Sequence, residues 1–309
     1  MIVDVVIATY NRANQISETL DNVLQYKDDI NKIFVVNNNS EDNTKEVLKE
    51  FHDNEKIEII HSPENLGASG GKNIGLKKSV ADVAIVIDDD AIFFSDNPIQ
   101  EVKKIFSDDK KIGIIQFQIV NFQSRKILRH EFPGDNPQQN GDKEFLSGYF
   151  IGAGHAIRNS MLEKVGYYPN DFFYAHEEID LSYRAVNGGY IIKYCPIVGV
   201  YHKKVQSGRL PHNRVLLNMY KNRLIMSYQY LPNFYKIISN IAWFIKTVLN
   251  SRSITIALSA IKEFNEIKDS LKINKLSDNA IKYMKKYNFC IHRYSLPLYF
   301  FIYFIALSE

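Results

Sequence analysis

The sequence has little cysteine and lacks an apolar run long enough to cross a bilayer. Cys195 and Cys290 are its two cysteines among 309 residues. Their separation fits neither a disulfide framework nor a metal cluster, so we expect reducing surroundings and no disulfide. The apolar run at residues 296–307 has twelve residues, whereas a spanning helix needs roughly 20. Asp4 interrupts the opening apolar stretch, so we expect no signal peptide and a cytoplasmic location.

Charge is small overall but unevenly distributed. The chain is 45% hydrophobic and 24% charged, with a net charge of +3, which is typical of a globular enzyme and excludes a disordered or fibrous protein. Residues 232–309 contain eleven Lys and Arg against five Asp and Glu, a net charge of +6, so the rest of the chain has −3. This split indicates chemistry in the front part and contact with an anionic surface through the tail. Nucleic-acid binding is not expected, because the basic residues of the tail alternate with apolar runs.

Alternating strand and helix patterns occupy the front of the chain. We predict strands at residues 2–8, 33–36, 56–60 and 83–87, helices at 16–24 and 44–51, and a glycine-containing loop and helix at 65–79. Such a series predicts an α/β fold with a mostly parallel sheet flanked by helices. Functional residues are then expected at the carboxyl ends of the strands.

The pattern beyond residue 90 is mixed. We predict strands at residues 112–119, 150–157, 190–194 and 197–201, an exposed loop at 124–141, a helix at 179–186, and long helices from 214 onward and at 234–249. We therefore divide the chain into a catalytic domain, residues 1–231, and a helical tail, residues 232–309. Within the domain, we separate a first half of about 1–110, with the alternating pattern, from a second half of about 111–231, with the mixed pattern.

Three consecutive carboxylates close the apolar strand at residues 83–87. Side chains two apart on a strand point the same way, so Asp88 and Asp90 can hold one divalent cation. Oxygen ligands favour Mg²⁺ or Mn²⁺, and such ions usually complete their shell with substrate phosphates. The alternative is an ordinary polar turn, in which Asp is common.

Two further segments are candidates for binding a nucleotide. Asn38 follows the second strand, and its amide oxygen can accept the N3–H of a pyrimidine base, although an Asx turn explains the same residue. Gly67 and Gly71 permit close approach of the backbone, and Lys72 can meet phosphate charge.

A pair of acids precedes the predicted helix at residues 179–186. Glu177 and Glu178 follow an aromatic run at 172–174, and a carboxylate partly desolvated beside another acid has a raised pKa, which suits a general base. The alternative is that these acids cap the helix, a role that also suits Asp180.

Three histidines are candidates for binding. His202 follows a predicted strand and could complete a metal site, although a lone histidine is as often an ordinary core or surface residue. His155 and His176 are weaker candidates for an acceptor pocket.

In the order of its motifs, the chain resembles the inverting, metal-dependent family 2 glycosyltransferases of the GT-A fold, especially the rhamnosyl- and galactofuranosyltransferase branch. The resemblance covers roughly residues 2–232. It rests on the segments 6–12, 35–44, 65–75, 88–90, 176–184 and 200–202. The family more often has Asp where this chain has Asn37.

The resemblance implies a GT-A fold with a C-terminal helical appendage and a defined set of site residues. The nucleotide-sugar would contact Thr9, Tyr10, Asn11, Arg12, Asn38, Gly71, Lys72, Asp88 and Asp89. Mn²⁺ or Mg²⁺ would be bound by Asp90, Asp88 and His202. Glu178 would be the base, and Glu177 stays an alternative because the usual second acid of the family's pair is Asp.

The implied reaction moves a sugar from a UDP- or dTDP-linked donor to a hydroxyl of a glycan or lipid-linked glycan, in the assembly of bacterial cell-surface polysaccharide. Two alternatives remain. One is a catalytically silent sugar-nucleotide-binding scaffold. The other, a sugar nucleotidyltransferase, would normally have an amino-terminal glycine-rich loop, which residues 8–12 lack.

The tail resembles the family less. Residues 234–249 and 296–307 are apolar and lie among basic residues. They predict either contact with the cytoplasmic face of a membrane or packing against the domain or a second subunit in a homo-oligomer.

Overall fold

A computed structural model describes residues 1–287, and within them a nine-stranded sheet is flanked by helices. The strands are β1 Val3–Thr9, β2 Ile33–Asn37, β3 Ile57–His61, β4 Val83–Ile87, β5 Ala91–Phe93, β6 Ile112–Asn121, β7 Phe145–Ser147, β8 Gly154–Arg158 and β9 Ile191–His202. The helices are α1 Ala13–Leu24, α2 Thr44–Lys49, α3 Gly67–Lys78, α4 Pro98–Asp108, α5 Pro137–Asn140, α6 Asn159–Val165, α7 Glu177–Asn187, α8 His212–Tyr230, α9 Asn233–Ser251, α10 Ile254–Ile267 and α11 Asp278–Lys286.

The first four strands of the sheet, in the order β3-β2-β1-β4, are all parallel. The runs of Val and Ile in β1, β2 and β4 are buried on both faces, as a sheet covered by helices on both sides requires, whereas the edge strand β3 is only partly buried. Thr9 pairs with Asn37 at the carboxyl ends of β1 and β2, and β4 ends beside them. The residues that follow these strands therefore meet at one edge of the sheet.

The second half of the sheet is mixed. β8 lies antiparallel between β4 and β6, β6 is parallel to β9, and β5 and β7 pair antiparallel with β9. The predicted fold class is confirmed, and the parallel pattern holds up to β4. The two strands predicted at 190–194 and 197–201 are one strand, in which the pairing register with β6 shifts around Pro196, a residue with no N–H to donate.

The segments around β7 and β8 differ from the sequence prediction. β8 begins at Gly154, so residues 150–153 are a loop that faces the site described below. The exposed loop predicted at 124–141 is wrong for residues 131–133, which are buried. Phe132 packs edge-on against Tyr194 and Phe145, and this aromatic contact draws the segment inward.

The C-terminal helices pack on one another and on α7. Leu217 and Tyr220 of α8 form a small core with Trp243 of α9 and with Ala257 and Ala260 of α10. One side of α9 is buried here and the other is exposed, so its apolar residues are only partly explained by core packing. No helix within residues 1–287 has the length and apolar content needed to cross a bilayer. Residues 296–307 lie outside the described residues.

Asp180 joins α7 to its neighbours through a buried ion pair. It is 2% exposed, and its Oδ1 accepts from Nε of Arg184 at 2.8 Å and from Nη2 at 2.6 Å. Tyr230 of α8 donates its hydroxyl to the other oxygen at 2.7 Å, while Arg184 also donates to the carbonyl oxygen of Val165 at 2.7 Å. Asp180 thus fixes the position of α7 between α6 and α8.

Substitution of Asp180 with Ala should destabilise the fold by about 3 kcal/mol or more, because it leaves the Arg184 charge buried without its partner. Chemical denaturation measures this change in the free energy of unfolding. Glu163→Ala, which removes an exposed carboxylate on α6, is the matched control and should change stability by less than about 0.5 kcal/mol. Equal effects of the two substitutions would show that the Asp180 network is not structural.

Candidate active site

A cavity of about 1000 Å³ opens at the carboxyl ends of the parallel strands, between them and α7. It is lined by residues from widely separated segments that the sequence had indicated. The predicted site residues that line the cavity are Thr9, Tyr10, Asn11, Arg12, Asn38, Lys72, Asp88, Asp89, Asp90, Glu177, Glu178 and His202. The fold therefore brings the acidic triplet, the acid pair of α7 and the first loop to one site.

Each acid of the triplet lies beside a positive group. Lys72 of α3 places its Nζ 3.1 Å from Oδ1 of Asp88. Arg12, just before α1, pairs with Asp89 at 3.1 Å and also with Asp90. Burial raises the pKa of Asp89 to about 7, although Arg12 opposes the shift. Burial alone would raise the pKa of Asp90. Its contacts with His202 and Arg12 outweigh burial, so the pKa of Asp90 is held well below its usual value.

His202, at the end of β9, lies between two carboxylates. Its Nε2 is 3.1 Å from Oδ1 of Asp90, and its Nδ1 bonds Glu131. Burial alone would lower the pKa of His202, but the two acids raise it to about 9. Glu131 was missed by the sequence analysis, because it lies in the segment predicted as an exposed loop and belongs to no recognisable motif.

Asp88, Asp90 and His202 fit a divalent cation. One ligand atom from each lies within 4.8 Å of the others, and two carboxylates with one imidazole suit Mn²⁺ or Mg²⁺. The Nδ1 of His202 is held by Glu131, which orients the ring so that Nε2 faces the acids. A carboxylate behind a ligating imidazole is a common feature of metal sites.

The loop after β9 closes one side of the cavity. Arg12 donates from Nε to the carbonyl oxygen of Ser207 at 3.0 Å and from Nη2 to that of Val205 at 3.3 Å. The N–H of Val205 donates to Asp90 at 3.0 Å. Gly208 has a φ of +72° and lies so close to the carbonyl oxygen of Tyr10 that a Cβ would overlap it. Sequence reasoning did not find this loop, since its contacts are made by the backbone.

The turn before α7 holds the acid pair in place. Ala175 and His176 have φ of 75° and 69°, a left-handed conformation that costs about 1–2 kcal/mol for each such residue. Asn222 of α8 stabilises it by donating to the carbonyl oxygens of Tyr174 at 3.0 Å and of Ala175 at 2.7 Å. The ring of His176 packs edge-on against Trp243 of α9, with centroids 5.0 Å apart.

Glu178 carries the properties of a base. Burial and the neighbouring Glu177 raise its pKa to about 8, against the opposing charge of Lys72. Burial likewise raises the pKa of Glu177, which is 4% exposed. A Cβ on Gly152 would overlap Oε1 of Glu178 and lie 3.2 Å from Nζ of Lys72. A side chain at this position would therefore displace the carboxylate end of Glu178.

Four predicted residues make contacts within the fold itself. Gly71 is not among the residues that line the cavity, because it lies within α3 and packs against Asn38 and Ala8. Asn38 lines the cavity, but its amide accepts from the N–H of Leu66 at 3.0 Å and so holds the glycine-containing loop.

The two weaker histidine candidates are also absent from the lining. His155 is fully buried and bonds the hydroxyl of Tyr168 at 2.7 Å. His176 lies under α9, in contact with Trp243. Burial lowers the pKa of each histidine to about 3, so both are neutral core residues.

The family description Glycosyl transferase family 2 matches residues 4–166, more than half of the chain. The chain belongs to this family. This family-level match does not distinguish the rhamnosyl- or galactofuranosyltransferase branch expected from the motifs.

The chain is similar to two curated proteins and to one solved structure. An uncharacterized protein from Haemophilus influenzae is 32% identical over 173 residues, 54% of this chain and 93% of that protein. The poly-β-1,6-N-acetyl-D-glucosamine synthase of Staphylococcus aureus is 29% identical over 201 residues, 62% of this chain, and the match spans only 47% of the synthase. The mannosyltransferase PcManGT from Pyrobaculum calidifontis, solved in complex with GDP-Man and Mn²⁺, aligns over 99% of this chain and 85% of its own with a TM-score of 0.58. At 16% identity, this last likeness shows the GT-A glycosyltransferase fold alone.

Replacing Gly152 with Ala should lower kcat of this glycosyltransferase by about 100-fold, because a displacement of about 1 Å at a reacting group costs that much. The groups that the new methyl meets are the mobile ends of two side chains, so the fold should keep its stability. Steady-state kinetics and thermal unfolding measure the two effects. An unchanged kcat in a folded variant would remove Glu178 from the reaction.

Proposed function

We propose that this protein is an inverting glycosyltransferase that moves a sugar from a UDP- or dTDP-linked donor to a hydroxyl of a glycan acceptor. One observation carries the proposal: a cluster fit for a divalent cation and a carboxylate of raised pKa open into the same cavity, with Lys72 between them. The first acts on a leaving diphosphate and the second on an attacking hydroxyl, and transfer needs both.

Residues of the nucleotide half, about 1–110, would bind the donor. The nucleotide would lie along residues 9–12 and Asn38, with its diphosphate toward Arg12 and Lys72. Mn²⁺ or Mg²⁺, held by Asp88, Asp90 and His202, would neutralise charge on the departing diphosphate. Lys72 and Arg12 carry fixed positive charge next to this position, so little reorganisation is needed as negative charge develops.

Glu178 would accept the proton of the acceptor hydroxyl. As that O–H bond breaks, the oxygen forms a bond to the anomeric carbon, and the bond from that carbon to the diphosphate breaks with its electrons leaving on the nucleotide. A single displacement of this kind inverts the anomeric centre and needs no nucleophile from the protein. Glu177 is the less suitable base, because it is more deeply buried than Glu178.

The acceptor half, about 111–231, would bind a growing glycan or lipid-linked glycan of bacterial cell-surface polysaccharide. A polymer-forming synthase among the relatives supports this role and makes an N-acetylhexosamine, beside a hexose or deoxyhexose, a sugar to test. The intact triplet and acid pair argue against a silent sugar-nucleotide-binding scaffold. A nucleotidyltransferase is less compatible still, since the loop after β1 has no glycine run to surround a nucleoside triphosphate.

The deciding experiment offers UDP-, dTDP- and GDP-sugars with Mn²⁺ and measures the nucleoside diphosphate released, with and without glycan acceptors. We expect metal-dependent release from a UDP- or dTDP-sugar, reduced by about 100-fold or more in Asp90→Ala and in Glu178→Ala. Asp96→Ala, which removes an exposed acid just after β5, is the matched control and should be fully active. Donor binding without release under every condition would favour the scaffold, and pyrophosphate release from a nucleoside triphosphate and a sugar phosphate would favour the nucleotidyltransferase.

Activity should depend on pH through Glu178. A base works as the carboxylate, and a pKa raised to about 8 leaves most of this group protonated at lower pH. We therefore expect kcat/KM to rise about tenfold per pH unit below pH 8 and to level off above it. The residual rate of Glu178→Gln should lack this rise. A wild-type profile that is flat, or that falls between pH 6 and 8, would contradict the role of this base.

A further inference from the structure

An exposed row of apolar side chains, here called the apolar stripe, runs along the outer face of α9 and α10. Its members are Phe234, Ile237, Ile241, Ile245 and Leu249 on α9, and Ile254 and Leu258 on α10. Their exposed fractions lie between 39% and 62%. Because steps of three and four residues return to the same side of a helix, the five α9 members form one line.

The stripe is a continuous surface and not the edge of a core. The opposite side of α9 buries Ser239, Ala242, Trp243 and Thr247. Both α9 and α10 pack on α8, and only residues 252–253 join them, so the two helices run back along each other. Leu249 lies in the last turn of α9 and Ile254 is the first residue of α10, and both are more than half exposed. Exposed apolar side chains in such a contiguous row indicate an interaction surface.

Positive charge accompanies the stripe. Residues 232–287 contain ten Lys and Arg against four Asp and Glu, a net charge of +6. Lys285 of α11 lies with its Nζ 5.2 Å from the ring centroid of Tyr235, the residue next to Phe234. The basic end of α11, where Lys282 and Lys286 are also exposed, is therefore beside the first residue of the stripe.

The residues that the structure describes end just after this basic end of α11. Residue 287 follows α11 directly, and the sequence continues with eight residues and then the apolar run 296–307. A helix with one apolar side, basic residues around it and a second apolar segment soon after it in the sequence is the combination that holds a protein on an anionic bilayer, where one apolar signal alone binds weakly.

We propose that the apolar stripe docks on the surface of a bilayer that contains anionic phospholipid. The apolar side chains of α9 and α10 enter the boundary between head groups and acyl chains, and the lysines of α11 meet the phosphates. α9 lies parallel to the bilayer surface and does not cross it. This inference concerns a surface of the chain and is independent of the transferase reaction.

Cosedimentation of the full chain with vesicles tests the proposal. We expect binding to vesicles of phosphatidylglycerol and phosphatidylcholine, weak binding to phosphatidylcholine alone, and a decrease as salt is raised. The double substitution Ile237→Asp/Ile241→Asp should weaken binding by about tenfold or more, because two partly exposed aliphatic side chains no longer leave water.

The matched control is Val80→Asp/Ile197→Asp. It places the same two charges at apolar residues elsewhere that are 90% and 51% exposed, and it should bind vesicles like the unchanged chain. Donor turnover without vesicles reports that each variant is folded, and circular dichroism does so even if the chain has no turnover.

Three results would overturn the proposal. The first is recovery of the unchanged chain only in the supernatant with anionic vesicles. The second is a stripe variant that sediments as well as the control, which would mean that another segment, such as 296–307, binds the lipid. A dimer in light scattering that the stripe substitutions dissociate, without vesicle binding by either form, would make a second copy of the chain the occupant.

Discussion

The site depends on neutralisation of the three negative charges of the acidic triplet by neighbouring positive side chains. Three carboxylates follow β4 at a largely buried position, and burial of charge without partners would cost several kcal/mol for each. Arg12, Lys72 and His202 supply the partners from the loop after β1, from α3 and from β9. The parallel order of β1 and β4, the packing of α3 on the sheet and the length of β9 all serve to bring these groups together.

The same neutralisation prepares the site for a charged ligand. The acids already hold the positive side chains of the site in place and away from water. The diphosphate of the proposed nucleotide-sugar would therefore meet charged groups that need no further desolvation. His202 is held from behind by Glu131, and Glu131 in turn lies near Lys204, with Oε1 and Nζ 3.7 Å apart. Positive and negative side chains alternate along this series of contacts. Removal of one side chain would therefore leave its two neighbours, which carry charge of the same sign, without the partner between them.

Much of this arrangement could be predicted from the sequence, because the relevant signals are local. Runs of Val and Ile identified β1, β2, β4 and β6, and the order of the motifs indicated which polar residues meet. Glu131, Gly152 and Asn222 could not be found in this way. Each acts through a contact with a residue distant in the chain, and no local pattern distinguishes a buried Glu in a loop from an exposed one. The role given to Gly71 stays a prediction, since a glycine within a helix can serve packing as readily as ligand approach.

The turn before α7 also bears on the order in which the site is completed during synthesis. Its left-handed residues are held by Asn222 and Trp243, which lie nearly fifty and seventy positions further along the chain. A growing chain that has already formed β1, β4 and α7 still lacks the contacts that fix this turn, and domains form as units from the amino-terminal end during synthesis. The turn that carries Glu177 and Glu178 is therefore fixed only after α8 and α9 have been made, so its contacts are among the last to form in this part of the chain.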